Sequence, residues 1–231
     1  MTIELHRSQR RQFHPAIHEQ GEQDVPAILH ALGSTVRFNR AEVIFSEGDQ
    51  AGSTYRILSG AVGLCKIMAD GRRQIVQLLL PGDFMGVKWD DECALTAEAL
   101  SDVVAIRYCC ARLRRLGDER SDVGRHLVSI LRQDMCRAQQ HVALLGRQTA
   151  RERVASFLVA LADRSDGNHV DLPLGRQDIG DYLGLTIETV CRALSELRRA
   201  RIIAIPNRSH VTIRDPATLQ AIAQGESDLV H

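Results

Sequence analysis

Residues 176–197, RQDIGDYLGLTIETVCRALSEL, constrain the fold of this chain more than any other stretch. Their spacing predicts two short helices joined by a tight turn. Ile179 and Leu183, four apart, give the first helix one apolar stripe. Gly184 supplies the permissive backbone of a sharp turn, and Thr186 is an N-cap whose hydroxyl can accept from an amide two or three residues on. In the second helix Val190, Leu194 and Leu197 recur at i, i+4, i+7 and face inward. Glu188, Cys191, Arg192 and Ser195 recur at i, i+3, i+4, i+7 and face outward. An exposed carboxylate, small side chain and guanidinium suit the major groove. Arg pairs with guanine, Glu accepts from the cytosine amino group, and a small apolar group sits on a thymine methyl.

Any amphipathic helix pair has an apolar inside and a polar outside, so the continuation matters. Residues 202–205 and 211–213 read as two strands around the turn Pro206-Asn207-Arg208-Ser209, a hairpin of the kind that forms a wing. Helix-turn-helix plus wing implies sequence-specific binding to double-stranded DNA. The whole chain has zero formal net charge, yet residues 186–214 hold six arginines against two glutamates. That local sign suits phosphate, with Thr186, Thr189, Ser195, Arg199 and Arg208 as candidate backbone contacts beside the base readers Glu188, Cys191 and Arg192.

Upstream, short apolar runs between about Val36 and Ile106 are separated by turn signals at Gly48-Asp49, Gly60, Asp70-Gly71 and Pro81-Gly82-Asp83. Regular short strands predict a β-sandwich, with a jelly roll as its natural form. A long helix is expected over 118–145. In it Val128, Leu131, Met135, Ala138, Val142 and Leu145 alternate in steps of three and four, the pattern of a coiled-coil seam. Leu127, Ile130 and Leu144 form a flanking stripe that can pack on the home domain. One stripe for each side implies a parallel homodimer, whose two recognition helices would read half-sites of palindromic DNA about one helical turn apart. A second helix over 149–164 and a loop with a short strand over 167–174 lead into the motif.

The fold class is therefore α+β: a polar N-terminus (1–25) expected to be loosely ordered, a jelly-roll domain (26–117), a dimerisation helix (118–146), a winged helix-turn-helix (147–214) and a C-terminal tail (215–231). No run approaches the roughly eighteen apolar residues of a membrane span, and no apolar signal core follows Met1, so a cytoplasmic protein without a membrane partner is expected. The six cysteines form no CxxC pair and no zinc spacing, so no metal site is expected, and reduced thiols are. Cys109 and Cys110 are expected at a sandwich edge. HExxH, GxSxG, GxxxxGK[ST] and GxGxxG are all missing, so no catalytic residues are assigned.

Taken in order, these parts resemble the family of the catabolite activator protein and the fumarate–nitrate regulator, over about residues 30–214. Its anchors are EGD (47–49), PGDFMG (81–86) and IETVCRALSELRRARII (187–203). The chain is most similar to the FixK-like branch of the fumarate–nitrate regulator group, and LTAEALSDVVAIRY (95–108) is typical of that group. The resemblance implies that Glu188 and Arg192 are the charged base readers, that the target is built from TTGAT half-sites, and that genes of low-oxygen or anaerobic metabolism are activated. It also implies RNA polymerase as a partner, for which the loop 69–73 is a candidate contact. Cys191 departs from the family, standing where a small polar residue, commonly serine, is found.

Two further departures concern the input signal. Cyclic-nucleotide-binding members carry an Arg-Ser pair and a Glu after the glycine turn, whereas the matching MGVKWDDECALTA (85–97) has no arginine. A cyclic phosphate there would lack its charge-paired bond. Iron–sulfur members carry a cysteine cluster near the N-terminus, and here no cysteine precedes Cys65. No cofactor is therefore expected, the alternative being an effector-dependent regulator or repressor of the same family, with His14, His18 or His30 as haem ligands or with a bound nucleotide. Cys191 is the candidate switch, because a helix N-terminus and nearby cations favour a reactive thiolate.

Overall fold

In a computed structural model, which describes residues 25–87, 92–165 and 167–226, the alternating runs fold as eight short strands. One antiparallel sheet has the order β1 (Ser34–Phe38), β8 (Val103–Cys109), β3 (Ser53–Ser59), β6 (Phe84–Met85). The other has the order β2 (Val43–Phe45), β7 (Thr96–Ala99), β4 (Val62–Ile67), β5 (Arg73–Leu79). Period-2 patterning sends alternate residues of both sheets into one apolar core that includes Ile57, Val62, Leu79, Ala97 and Ala105. This is the expected jelly-roll sandwich. Cys109 ends β8, exposed, and Cys110 opens the next helix with its thiol 3.2 Å from the Thr54 hydroxyl.

The helical region departs from the expectation at its start. Two helices, α2 (Cys110–Glu119) and α3 (Ser121–Arg147), stand where one was expected from residue 118. Arg120 breaks them apart in an extended conformation, φ −125° and ψ 108°. The break is made tight by two glycines, because a Cβ on Gly124 would lie 2.8 Å from the Gly117 carbonyl. Leu113, Val123 and Leu127 then pack with Leu29 of α1 (Val25–Leu32) over Ile106 and Tyr108. The N-terminal expectation for residues 1–24 lies outside the described residues.

α4 (Ala150–Ala162) starts with a capping box, in which Glu152 N–H donates to the Thr149 hydroxyl and Thr149 N–H donates back to the Glu152 carboxylate. The motif helices are α5 (Arg176–Leu183) and α6 (Ile187–Arg199), and a three-stranded sheet orders β10 (Ile203–Asn207), β11 (His210–Ile213) and β9 (His169–Asp171). Pro206 was expected in the turn; instead β10 runs through it to Asn207. The ladder with β11 is irregular between Ala204 and Asn207, and a proline without an N–H fits such a bulge. The expected tail contains α7 (Pro216–Ala223), capped by Asp215, which accepts from Thr218 N–H at 3.0 Å, and its Leu219 and Ile222 are buried in the core around α4.

Candidate nucleic-acid interface

The turn of the motif is set by two glycines with different duties. Gly184 takes the left-handed conformation, φ 64°, that ends α5. Gly180 lets the turn close: a Cβ there would stand 2.6 Å from the Leu185 carbonyl. Thr186 caps α6, its hydroxyl accepting from Thr189 N–H at 3.3 Å. Ile179, Leu183, Val190, Leu194 and Leu197 are buried as the spacing required.

That packing turns Glu188, Cys191 and Arg192 outward, all exposed along one side of α6. Ser195 and Thr189 are half-buried, while Thr186, Arg199 and Arg208 are exposed. Glu188 sits in the first turn of α6, where its own N–H and then the Thr186 hydroxyl hold its carboxyl below the usual carboxylate range. It is ionised at neutral pH and ready to accept. Arg198 and Arg199 close the last turn, complementing the helix dipole as well as adding positive charge to the face. Arg208 stands at the wing tip, in a turn tied by Ser209 N–H donating to the Asn207 side-chain carbonyl at 3.0 Å.

Three features of the site have no local signal in the sequence. Arg176, at the start of α5, is half-buried and within electrostatic range of the Cys191 thiol, and burial lowers the pKa of its guanidinium. The motif is also fastened to the sandwich. Arg73 on β5 donates to Asp181 at 2.8 Å, to Glu98 at 2.7 Å and to Asp178, while the Gln74 amide donates to the Asp181 carbonyl at 2.7 Å. Asp83 of the PGDFMG turn is buried between Arg137 of α3 at 2.6 Å and Arg164 after α4 at 3.0 Å. In the candidate contact loop 69–73, Arg73 is committed to α5, while Ala69, Asp70, Gly71 and Arg72 are exposed.

The α3 seam residues face out from the single chain. Val128 is 62% exposed, Met135 56% and Val142 70%, Ala138 is exposed, and Leu131 and Leu145 are half-buried. Leu127 and Ile130 pack with α1 and α2, and Leu144 packs on the core that joins the domains. Such long apolar side chains in water are the informative kind of exposure.

A Crp-like helix-turn-helix domain model matches residues 152–222, and a cyclic nucleotide-binding domain model matches residues 35–119. The nitrogen fixation regulation protein FixK of Bradyrhizobium diazoefficiens is 40% identical over 197 residues, 83% of each chain. The chain belongs to the CRP/FNR family of transcription regulators. This FixK-like regulator is also 33% identical to the transcriptional activator protein FnrL of Cereibacter sphaeroides, over 93% of this chain and 90% of that one. The solved structure of FixK2 from Bradyrhizobium japonicum matches with a TM-score of 0.79 and 35% identity, covering 82% of this chain and 96% of that one.

The FixK-like sandwich lacks, in its sequence, the arginine that the family resemblance implies for gripping a cyclic phosphate. Its matching stretch, residues 85–97, carries no arginine to pair with a phosphate. Met85 and Ala97, at its ends, are buried in the apolar core. Tyr55 is stacked on Phe45 at 6.3 Å and edge-on to Phe38 at 6.1 Å in the same interior. Among the described residues no helix is long and apolar enough to cross a membrane, and no three His, Cys, Asp or Glu side chains gather as metal ligands. His30 is exposed on α1, and His14 and His18 lie outside the described residues.

Proposed function

We propose that this regulator is a transcription activator that binds, as a parallel homodimer, an inverted repeat of TTGAT-type half-sites, and does so without cAMP or an iron–sulfur cluster. The exposed Glu188–Cys191–Arg192 face of α6 carries the reading, since it offers an acceptor, a small group and a bidentate donor. The apolar stripe of α3 supports the homodimer, and the word activator in the names of relatives such as FnrL supports the sign of regulation, with RNA polymerase as the second partner. Genes of low-oxygen or anaerobic metabolism are the proposed targets. Fluorescence anisotropy of reduced, ligand-free protein on a duplex with two TTGAT half-sites tests it. Selective binding over a scrambled duplex at one stated salt concentration is expected, and equal affinity for both duplexes would overturn it.

Cys191 adds a redox layer. Exposed and within electrostatic range of Arg176, its thiol gives two electrons to hydrogen peroxide, becoming a sulfenic acid while the second peroxide oxygen leaves as water. The added oxygen occupies the space where a base would sit, and DNA binding is lost. Cys191→Ser is expected to bind DNA as the parent does and to keep binding after peroxide treatment. Equal peroxide sensitivity in parent and variant would place the oxidation elsewhere.

A further inference from the structure

The DNA-binding module meets the rest of the chain through an apolar joint. Ile75 of β5 and Leu80 just after it are buried in one cluster with Leu158 of α4 and with Ile179 and Leu183 of α5. His141 of α3 lies flat on Tyr182 of α5, with ring centroids 4.2 Å apart. Apolar contact has no preferred direction, so on its own it lets a helix slide or turn.

Direction comes from Arg73, at the first position of β5. Its guanidinium donates to three carboxylates: Glu98 of β7 at 2.7 Å, Asp181 of α5 at 2.8 Å, and Asp178 of α5. Both aspartate side chains are 12% exposed. Arg40, between β1 and β2, is a second cation from the sandwich, 4.0 Å from Asp178. The Gln74 amide adds a bond to the Asp181 backbone carbonyl at 2.7 Å. A covered ion pair adds little net stability over a well-packed apolar contact. The planar fork of an arginine, however, fixes angle as well as distance.

The other end of α5 is held by Arg153 of α4. It donates to the carbonyl of Leu183 at 2.9 Å and to that of Leu145, in the last turn of α3, at 3.0 Å. α5 is thus pinned at both ends. α6 follows it, because Leu185 N–H donates to the Gly180 carbonyl at 2.9 Å in the turn between them.

We propose that Arg73 is a positioning residue for DNA recognition: by clasping Asp178 and Asp181 it fixes the angle of the module on the sandwich, and with it the separation of the two recognition helices in a dimer. The spacing role rests on the proposed homodimer. One base pair added between half-sites moves one of them about 3.4 Å along the duplex and turns it about 34°, a displacement that a pinned helix does not follow.

Full-length, reduced protein first selects sites from a pool of random duplexes. The selected half-site is then offered as inverted repeats at the selected spacing and at one base pair more and one fewer. For the parent, the one-base-pair change is expected to weaken binding about tenfold or more. Arg73→Gln is expected to bind the selected spacing more weakly, with less than about a threefold difference among the three duplexes. Arg73→Lys, which keeps the charge, is expected to lie between. A loss of folded protein lowers all three alike, so a flattened profile reports position. In DNA-free protein, hydrogen exchange of the α5 amides is expected to be about tenfold faster in Arg73→Gln than in the parent, with β8 unchanged. Should Arg73→Gln fail to fold, Asp181→Asn, which leaves Arg73 its bonds to Glu98 and Asp178, is expected to flatten the profile to a smaller extent. An unchanged profile in a variant that folds, or unchanged exchange in α5, would overturn the clasp. A half-site other than TTGAT with the expected profiles would overturn only the proposed sequence, and lone half-sites from the parent would overturn the dimer and the spacing role with it.

Discussion

Two helices of this molecule expose a face, and the faces have opposite chemistry. α6 shows Glu188 and Arg192 to water, whereas α3 shows Val128, Met135 and Val142. Charged groups lose hydration when covered, so a face like that of α6 is stable in water until a polyanion supplies matching contacts. Apolar side chains gain about 25 cal/mol for each Å² removed from water, so the face of α3 is driven toward another apolar surface. Exposure alone therefore does not define a functional surface; the sign of its hydration free energy says what kind of partner it fits.

The largest effect is expected when α3 is given the chemistry of α6. Met135→Asp places a carboxylate in the proposed seam, where burying an unpaired charge costs several kcal/mol, and monomers are expected in light scattering. With one half-site per particle, affinity for the palindrome is expected to fall about a hundredfold or more, the equivalent of ~2.7 kcal/mol. A variant that stays dimeric would move the seam off this stripe.

The next change acts on α6 and leaves α3 intact. Arg192→Ala is expected to cost about 1–3 kcal/mol for each half-site and to relax selectivity at one base. The measurement is binding to a set of duplexes substituted one base at a time. If specific and scrambled DNA weaken alike, Arg192 is a phosphate contact and not a base reader.

Both faces were legible in the sequence because a helix writes its environment at steps of three and four. The same holds for the buried side of the motif, Ile179, Leu183, Val190 and Leu194, and for the period-2 strands of the sandwich. What was illegible arises from residues far apart in the chain. Arg73 meets Asp178 and Asp181 across 105 and 108 residues, and Asp83 meets Arg137 across 54, so no local period announces them. The stack of His141 on Tyr182 is of the same kind. α7 is different, because Asp215 followed by Pro216 is an N-cap and N1 pair that a reading of caps can find. The break at Arg120 depends on Gly117 and Gly124 meeting after the chain has turned, which no local period announces.

The smallest expected effect lies at the wing, and it separates charge from reading within the DNA-binding module itself. Arg208 is exposed at the tip of the β10–β11 hairpin. A guanidinium that touches only phosphate carries no base information, so Arg208→Ala is expected to weaken cognate and scrambled duplexes by the same factor. Each phosphate contact contributes about 0.9 to the slope of log K against log salt, and a dimer loses two, so the slope should flatten by roughly 2. Anisotropy titrations at four salt concentrations measure it, with Arg192→Ala alongside. A wing that changes selectivity and leaves the slope alone would make Arg208 a groove reader, and the division between a reading helix and a charged wing would no longer hold.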